Sequence, residues 1–342
     1  MKLLKTMGKT RWISSFIFLV ALFLIVGSIN SSFLTPESII SCLNNSVVYM
    51  LLAVGIAFVI LCGEIDVSIG ATMGLAAAMS GTMAQGNQSW LTMIIYALII
   101  GVGIGLFNGI GVAVLGIPSL IFTLGTCGII RGLVYLYSGG RTVENFAGSF
   151  TAFNNATVFS GITWFFALAF VAVIAVHFIL SYTKRGKYFI AVGDNINGAV
   201  LVGLPAKQTK IVSYIISGCF AAIAGIIFAS KYGQVNIVAG TGYEMSAIAA
   251  CVIGGISLTG GLGDVIGAMI GAIIMSSITK ILVFLGLSSD YNNTITGVML
   301  ITIVVIDALA QRRSVESSRR KRLAARTSPG ISAQSIAEEV AK

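Results

Sequence analysis

The stretch WISSFIFLVALFLIVGSI, Trp12–Ile29, runs 18 residues without a charge. Nine comparable apolar runs follow it, each carrying at most one charge. They span about Ile40–Leu61, Ile69–Met83, Leu91–Leu115, Ser119–Tyr137, Ile162–Leu180, Ile211–Ser230, Met245–Ile256, Val265–Leu285 and Thr294–Leu309. Several approach or exceed the ~20 residues that a helix needs to cross a bilayer. Water is a poor solvent for such a chain: 56% of its residues are hydrophobic and 10% charged, where soluble domains carry about 25% charged residues. The runs are continuous rather than alternating, which argues against a membrane β-barrel. The expectation is an all-α polytopic membrane protein of about ten transmembrane helices. The runs at Ser119–Tyr137 and Met245–Ile256 are short enough to be half-helices or re-entrant segments.

Charge sets the orientation. The formal net charge is +9, which on a soluble chain would suggest nucleic acid. Here 17 of the 21 basic residues fall in three places: before Trp12, from Lys184 to Lys210, and from Arg312 onward. Short Lys/Arg-rich segments stay in the cytoplasm. An even number of spans puts both termini and the middle segment on that same side, so the hydropathy and charge readings agree. This divides the chain into a cytoplasmic N-terminus (1–11), a transmembrane permease region (12–309) with a cytoplasmic loop (183–210), and a basic cytoplasmic tail (310–342). The tail, RRSVESSRRKR, is an orientation signal or touches anionic lipid; no nucleic acid is implied. The N-terminal stretch has the basic-then-apolar form of a secretory signal, but no small-x-small site follows clearly. It reads as an uncleaved first span.

Recognisable catalytic chemistry is missing from the sequence. The five cysteines are scattered through apolar runs, with no metal-ligand or disulfide spacing. His177 is the one histidine, and packing or a hydrogen bond to a neighbouring helix accounts for it. Gly8-Lys9-Thr10 has the last residues of a phosphate-binding loop, but Leu3 stands where the first glycine belongs and no strand precedes it. Glu64, Asp66, Arg131, Glu244, Asp264, Lys280 and Asp307 lie in or near the apolar runs, mostly at their ends, where charges reach water or headgroups. An ion-coupled carrier would place an acid in mid-span, and the sequence displays none. Glycines at Gly101, Gly105 and Gly109, and at Gly263, Gly267 and Gly271, form stripes that let helices approach closely. The breaks GEIDVS and GGISLTGGLGD have some likeness to one another, as internal repeats of transporters do.

The segment TKRGKYFIAVGDNINGAVLVGLPAKQTK, Thr183–Lys210, is not low-complexity. Asp194 or Asn195 is placed to cap a short helix over Ile196–Val202, with Gly203 to end it and Pro205 to bar its continuation. Such an amphipathic helix docks into a partner's groove or lies on lipid.

These residues carry a family likeness. The segment resembles the coupling loop of ATP-binding-cassette importer permeases of the ribose-type, monosaccharide-importing branch, through Thr183, Gly186, Ala191, Gly193, Asn195, Ala199 and Gly203. Gly198 stands where that branch usually has a second alanine. GEIDVSIGATMGL (Gly63–Leu75), NGIGVAVLGIPSLIFTLGTCGIIRGLVYLYSGG (Asn108–Gly140) and GTGYEMSAIAACVIGGISLTGGLGDVIGAMIGA (Gly240–Ala272) are similar to further motifs of the branch, in the right order, with Glu64 where glycine is common. The GDN-x-x-GA loop and EMSAIAACVIGGISL most resemble the permeases of autoinducer-2 importers, with rhamnose and ribose permeases close behind.

The resemblance implies a non-catalytic bacterial inner-membrane subunit without cofactors. It implies partnership with cassette ATPases, a second permease subunit (identical or paralogous) and an extracytoplasmic substrate-binding protein. It assigns coupling to Gly193, Asp194, Asn195, Gly198, Ala199 and Gly203, and docking of the binding protein to Gly139–Gly161 and Lys231–Tyr243. Polar and aromatic residues on spans two to five, Asn44, Asn45, Asn108, Phe122 and Thr123, are candidates for the translocation pathway; interhelical packing is their other reading. The rival function is an ion-coupled secondary sugar carrier acting alone.

Overall fold

The computed structural model describes residues 12–288, 291–292, 294–302 and 305. Gly8-Lys9-Thr10, Asp307 and the basic tail lie outside them. Helices dominate in chain order: α1 Trp12–Ile29, a 3-10 turn Ser31–Leu34, α2 Pro36–Asn45, α3 Val47–Leu61, α4 Ile69–Gln85, α5 Trp90–Ala113 and α6 Ser119–Ser138. Next come α7 Gly148–Asn155, β1 Thr157–Phe159, β2 Ile162–Thr163, α8 Trp164–Tyr182, α9 Lys184–Asp194 and α10 Ile196–Leu201. Then follow α11 Ala206–Tyr232, α12 Tyr243–Ile253 and α13 Val265–Phe284, and residues 294–302 are helical as well. The two strands form a small antiparallel hairpin, so the all-helical expectation holds apart from this pair.

Among the described residues, six helices are long and apolar enough to cross a bilayer: α1, α5, α6, α8, α11 and α13. The pair α2–α3, bent by 43°, makes a seventh if taken as one span. α4 has 17 residues and α12 only 11, and most of both are buried inside the protein. The Ser119–Tyr137 run is therefore a full helix of 20 residues, whereas the Met245–Ile256 run is a short one. Every apolar run of the sequence up to Leu285 has its helix.

The long helix α11 is the mast of the structure, packed along α3, α4 and α5. Small residues make this possible. Gly101, Gly105 and Gly109 of α5 lie directly on the α11 backbone at Gly218, Tyr214 and Ile211, where a Cβ would collide. This is the close helix approach that the first glycine stripe predicts. In the second stripe, Gly267 and Gly271 of α13 pack on Gly254 and Ala250, but Gly263 lies in the turn before the helix, against Ile256. α3 is buried along nearly its whole length. The outer helices instead expose large apolar side chains, among them Leu24 and Ile25 of α1, Leu133 and Leu136 of α6, and Val171 and Phe178 of α8. An apolar exterior around a buried helical core is the arrangement lipid requires.

Candidate functional site

The middle segment folds as two helices, not as a loop with one short helix. Thr183 caps α9: its Oγ1 accepts from Gly186 N at 3.0 Å and donates to the Ile179 carbonyl at 2.6 Å. Asn195 ends α9 and starts α10, its Oδ1 accepting from Gly198 N at 2.9 Å. Gly203 follows at φ +80°, and Pro205 precedes α11. Of the two candidate caps, Asn195 is the one used.

The coupling candidates fall on opposite sides of this segment. Asp194, Asn195 and Gly203 are exposed. Ala199 is 4% exposed and packs with Val192, Leu204 and Ala206 in the small core that binds α9, α10 and α11 together. Gly193 faces inward as well. A Cβ there would collide with the Leu61 carbonyl at the end of α3 and crowd Gly261 N. Gly261 N in turn donates to that same carbonyl at 2.9 Å, and Gly260 touches both Gly63 and Gly193. The end of α9 is thus seated, backbone on backbone, where the breaks GEIDVS and GGISLTGGLGD meet. The apolar residues of the helix predicted for docking face outward: Ile196, Val200, Leu201 (87% exposed) and Val202 (75% exposed). Their apolar type on a cytoplasm-assigned segment was the available signal. Lys184, Arg185 and Lys187 are exposed nearby, and a groove of about 520 Å³ opens beside Arg185, Phe189, Pro205 and Val212.

Behind this seat, residues 62–68 break the path from α3 to α4 inside the protein. Irregular backbone at such depth needs partners for its polar groups, and three helices supply them. From α6, Thr123 Oγ1 accepts from Val67 N at 3.2 Å and Ser119 Oγ from Ile65 N at 3.2 Å. From α11, Tyr214 donates to the Ile65 carbonyl at 3.2 Å, Ser217 donates to Asp66 Oδ2 at 2.9 Å, and Lys210 pairs with Glu64. Asp66 Oδ1 accepts from Ser68 N and Oγ at 3.0 and 2.6 Å. From α5, Asn108 Nδ2 donates to Ser68 Oγ at 2.7 Å, while its Oδ1 is buried with no partner among the described residues.

This centre corrects the expectation that the charges sit at span ends in reach of water. Asp66 is 2% exposed. Glu64 and Lys210 are mostly buried and answer each other. Arg131 of α6 donates to Thr241 Oγ1 at 2.5 Å and pairs with Glu244 of α12 at 3.5 Å. His177 Nδ1 lies 2.8 Å from Asp264 Oδ1, which is the predicted hydrogen bond to a neighbouring element. Lys280 donates to the Ser38 carbonyl at 2.9 Å. The Asp66-x-Ser68 spacing, a local side-chain-to-backbone motif, was the sequence signal for this centre.

The pathway candidates split between two places. Asn108 and Thr123 belong to the centre, and Phe122 lies beside them, against Phe107 and over Gly111. Asn44 and Asn45 do not join them. Asn44 donates to the Gly161 carbonyl at 2.8 Å and accepts from Thr163 N at 3.0 Å, holding the β-hairpin against α2. Near that end the stretches 139–161 and 231–243 come together. Val143 and Val235 exchange both backbone hydrogen bonds at 2.8 Å, and Ser230 donates to the Phe150 carbonyl at 2.7 Å.

Residues 38–304 match the family described as the branched-chain amino acid transport system permease component. The autoinducer 2 import system permease protein LsrC of Salmonella typhi is 36% identical over 336 residues, covering 98% of this chain and 96% of that protein. LsrC of Escherichia coli O9:H4 (strain HS) is 35% identical, covering 94% of each, and LsrC of Enterobacter sp. (strain 638) is 38% identical, covering 89% and 88%. No solved structure matches significantly. Family members are multi-pass, non-catalytic subunits of bacterial importers that work with ATPase and binding-protein partners. A bundle of lipid-suited helices whose cytoplasm-assigned segment rests on its buried breaks is in keeping with that match, and the chain belongs to the family of permease components of ATP-binding-cassette importers.

Proposed function

We propose that this permease moves a monosaccharide or a similar small polyol, autoinducer-2 or a ribose- or rhamnose-like sugar, into the cytoplasm. The relatives' import of autoinducer-2 supports that substrate class. In this reading the chain crosses the membrane about ten times, with α4 and α12 as interior segments and both termini in the cytoplasm. Residues 1–11 and 310–342 flank a transmembrane region of 12–309. A second permease subunit, identical or paralogous, completes the pathway, and the paired stretches 139–161 and 231–243 receive the binding protein.

Coupling belongs to α9–α10, and one observation carries it. The outer face of α10 is apolar and exposed, its inner face packs on α9 and α11, and the end of α9 is locked onto the breaks at Gly63 and Gly260–Gly261. A push on the outer face therefore reaches the centre without passing through a flexible loop. Of the coupling residues, Asp194, Asn195 and Gly203 border the docking face; Gly193, Gly198 and Ala199 shape and seat the segment behind it. Asn108, Phe122 and Thr123 lie toward the pathway's middle, Asn44 and Asn45 toward its outer mouth.

The test is uptake by the reconstituted importer with its binding protein and ATP. Autoinducer-2, ribose and rhamnose are offered separately, and transport of at least one is expected. The rival carrier gains one observation, the buried Asp66, yet hydrogen bonds from Ser68 and Ser217 give that carboxyl a structural task. Uptake driven by a proton or sodium gradient, in vesicles without ATP, would establish the rival.

A further inference from the structure

α11 is one continuous helix of 27 residues, so Lys231 stands about 36 Å along its axis from Lys207 at the coupling end. At that far end lies a cavity of about 290 Å³, close to the lower end of the ~300–1,000 Å³ range of small-ligand clefts. Asn44, Asn45, Asn154, Asn155, Thr157 and Lys231 are among its lining, which includes no carboxylate and no hydrophobic side chain.

The walls are held in place. Asn44 pins the β-hairpin, and Ser230 ties α7 to α11. The groups facing inward are under-used. Lys231 Nζ makes one long hydrogen bond, 3.4 Å to the Asn44 carbonyl. Among the described residues it has no acidic partner. The side chains of Asn45 and Thr157 are exposed and make no hydrogen bond among the described residues, so both can turn to a ligand without breaking a contact of the fold. A partly buried ammonium without a counter-charge is costly, and a lysine serving only packing would carry its head out to water. Amides and hydroxyls in a fixed wall suit the oxygens of a polyol, and the ammonium suits an acidic group on it.

We propose that this cavity is a binding subsite for a small polyol bearing an anionic oxygen group, with Lys231 facing that group and Asn45, Asn154 and Thr157 facing its hydroxyls. Its role as the outer receiving site of transport rests on the orientation given under Proposed function; binding itself does not.

The test uses the assembled importer in lipid nanodiscs without its binding protein, where both faces are open, titrated calorimetrically with D-ribonate, D-ribitol and inorganic phosphate. Ribonate is expected to bind about tenfold more tightly than ribitol, the scale of one added hydrogen bond to a charged group, and phosphate more weakly than ribonate. Lys231→Met should erase the ribonate preference and leave ribitol binding unchanged. Asn45→Ala with Thr157→Val, which break no hydrogen bond of the fold, should weaken both polyols. The proposal fails if neither polyol binds saturably, if Lys231→Met leaves ribonate binding unchanged, or if phosphate binds as tightly as ribonate, which marks a bare anion site. Orientation is read separately, by labelling Asn155→Cys in intact spheroplasts with a membrane-impermeant maleimide. An unlabelled cysteine there, with ribonate binding intact, overturns the orientation alone.

Discussion

At the scale of the residue, the sharpest constraint is the carbonyl of Leu61. It accepts from Gly261 N and lies where a side chain on Gly193 would have to go. Gly193→Ala should therefore lift the end of α9 from its seat. Overpacking of this kind costs about 1–3 kcal/mol, and the expected result is a loss of uptake with the subunit still in the membrane. Wild-type uptake by that variant would show that the seat has no part in transport. Gly203→Ala makes a contrast: its left-handed backbone is strained by a side chain, but the surrounding space is open. Lys210 and Glu64 give a second residue-scale prediction. Both side chains are 16% exposed, so Lys210→Met leaves a buried carboxylate unanswered, at a cost of about 3 kcal/mol. Thermal unfolding in detergent should show a clear drop for Lys210→Met and partial recovery when Glu64→Leu is added. If the double variant is as unstable as the sum of the two single changes, the pair is not coupled.

At the scale of the element, the middle segment divides into an exposed apolar face, proposed to bind the ATPase, and a packed face, proposed to transmit its movement. Leu201→Asp with Val202→Asp places charge on exposed positions and should leave the fold intact while the ATPase no longer co-purifies. Ala199→Leu fills the small core between α9, α10 and α11 and should lower thermal stability first. If the two substitutions act alike in both measurements, the division into faces is wrong. Much of this element was legible in the sequence, because caps are local: Asn195 meets Gly198 three residues away, and Gly203 ends the turn that Pro205 prevents from continuing. The helical fold of Lys184–Asp194 was missed, since its basic residues and its glycines, Gly186 and Gly193, resemble a solvated linker. The inward turn of Gly193 and Ala199 was illegible for another reason. Their partners, Leu61 and Gly261 for one and Ala206 for the other, lie on different elements.

For the whole molecule, the two ends of α11 carry different features: the proposed coupling segment at one, and at the other a polar cavity beside two joined loops. The Val143–Val235 bridge makes that joining testable. A hydrogen-bonded antiparallel pair has Cα atoms about 5.5 Å apart, within disulfide reach. Val143→Cys with Val235→Cys should cross-link under mild oxidant, and an absence of cross-link would separate the loops. From sequence alone came membrane residence, the helices in the described apolar runs and the family likeness. The length of an apolar run is measured against bilayer thickness, and caps and glycine stripes act over a few residues. Only the tertiary structure decided which side of each helix faces inward, that Asp66 is buried among Ser68, Ser217 and Asn108, and that Asn44 and Asn108 serve different ends. A helix suited to lipid is apolar on nearly every face, so it has no polar stripe to mark its inner side. That choice falls to close packing between elements far apart in the chain.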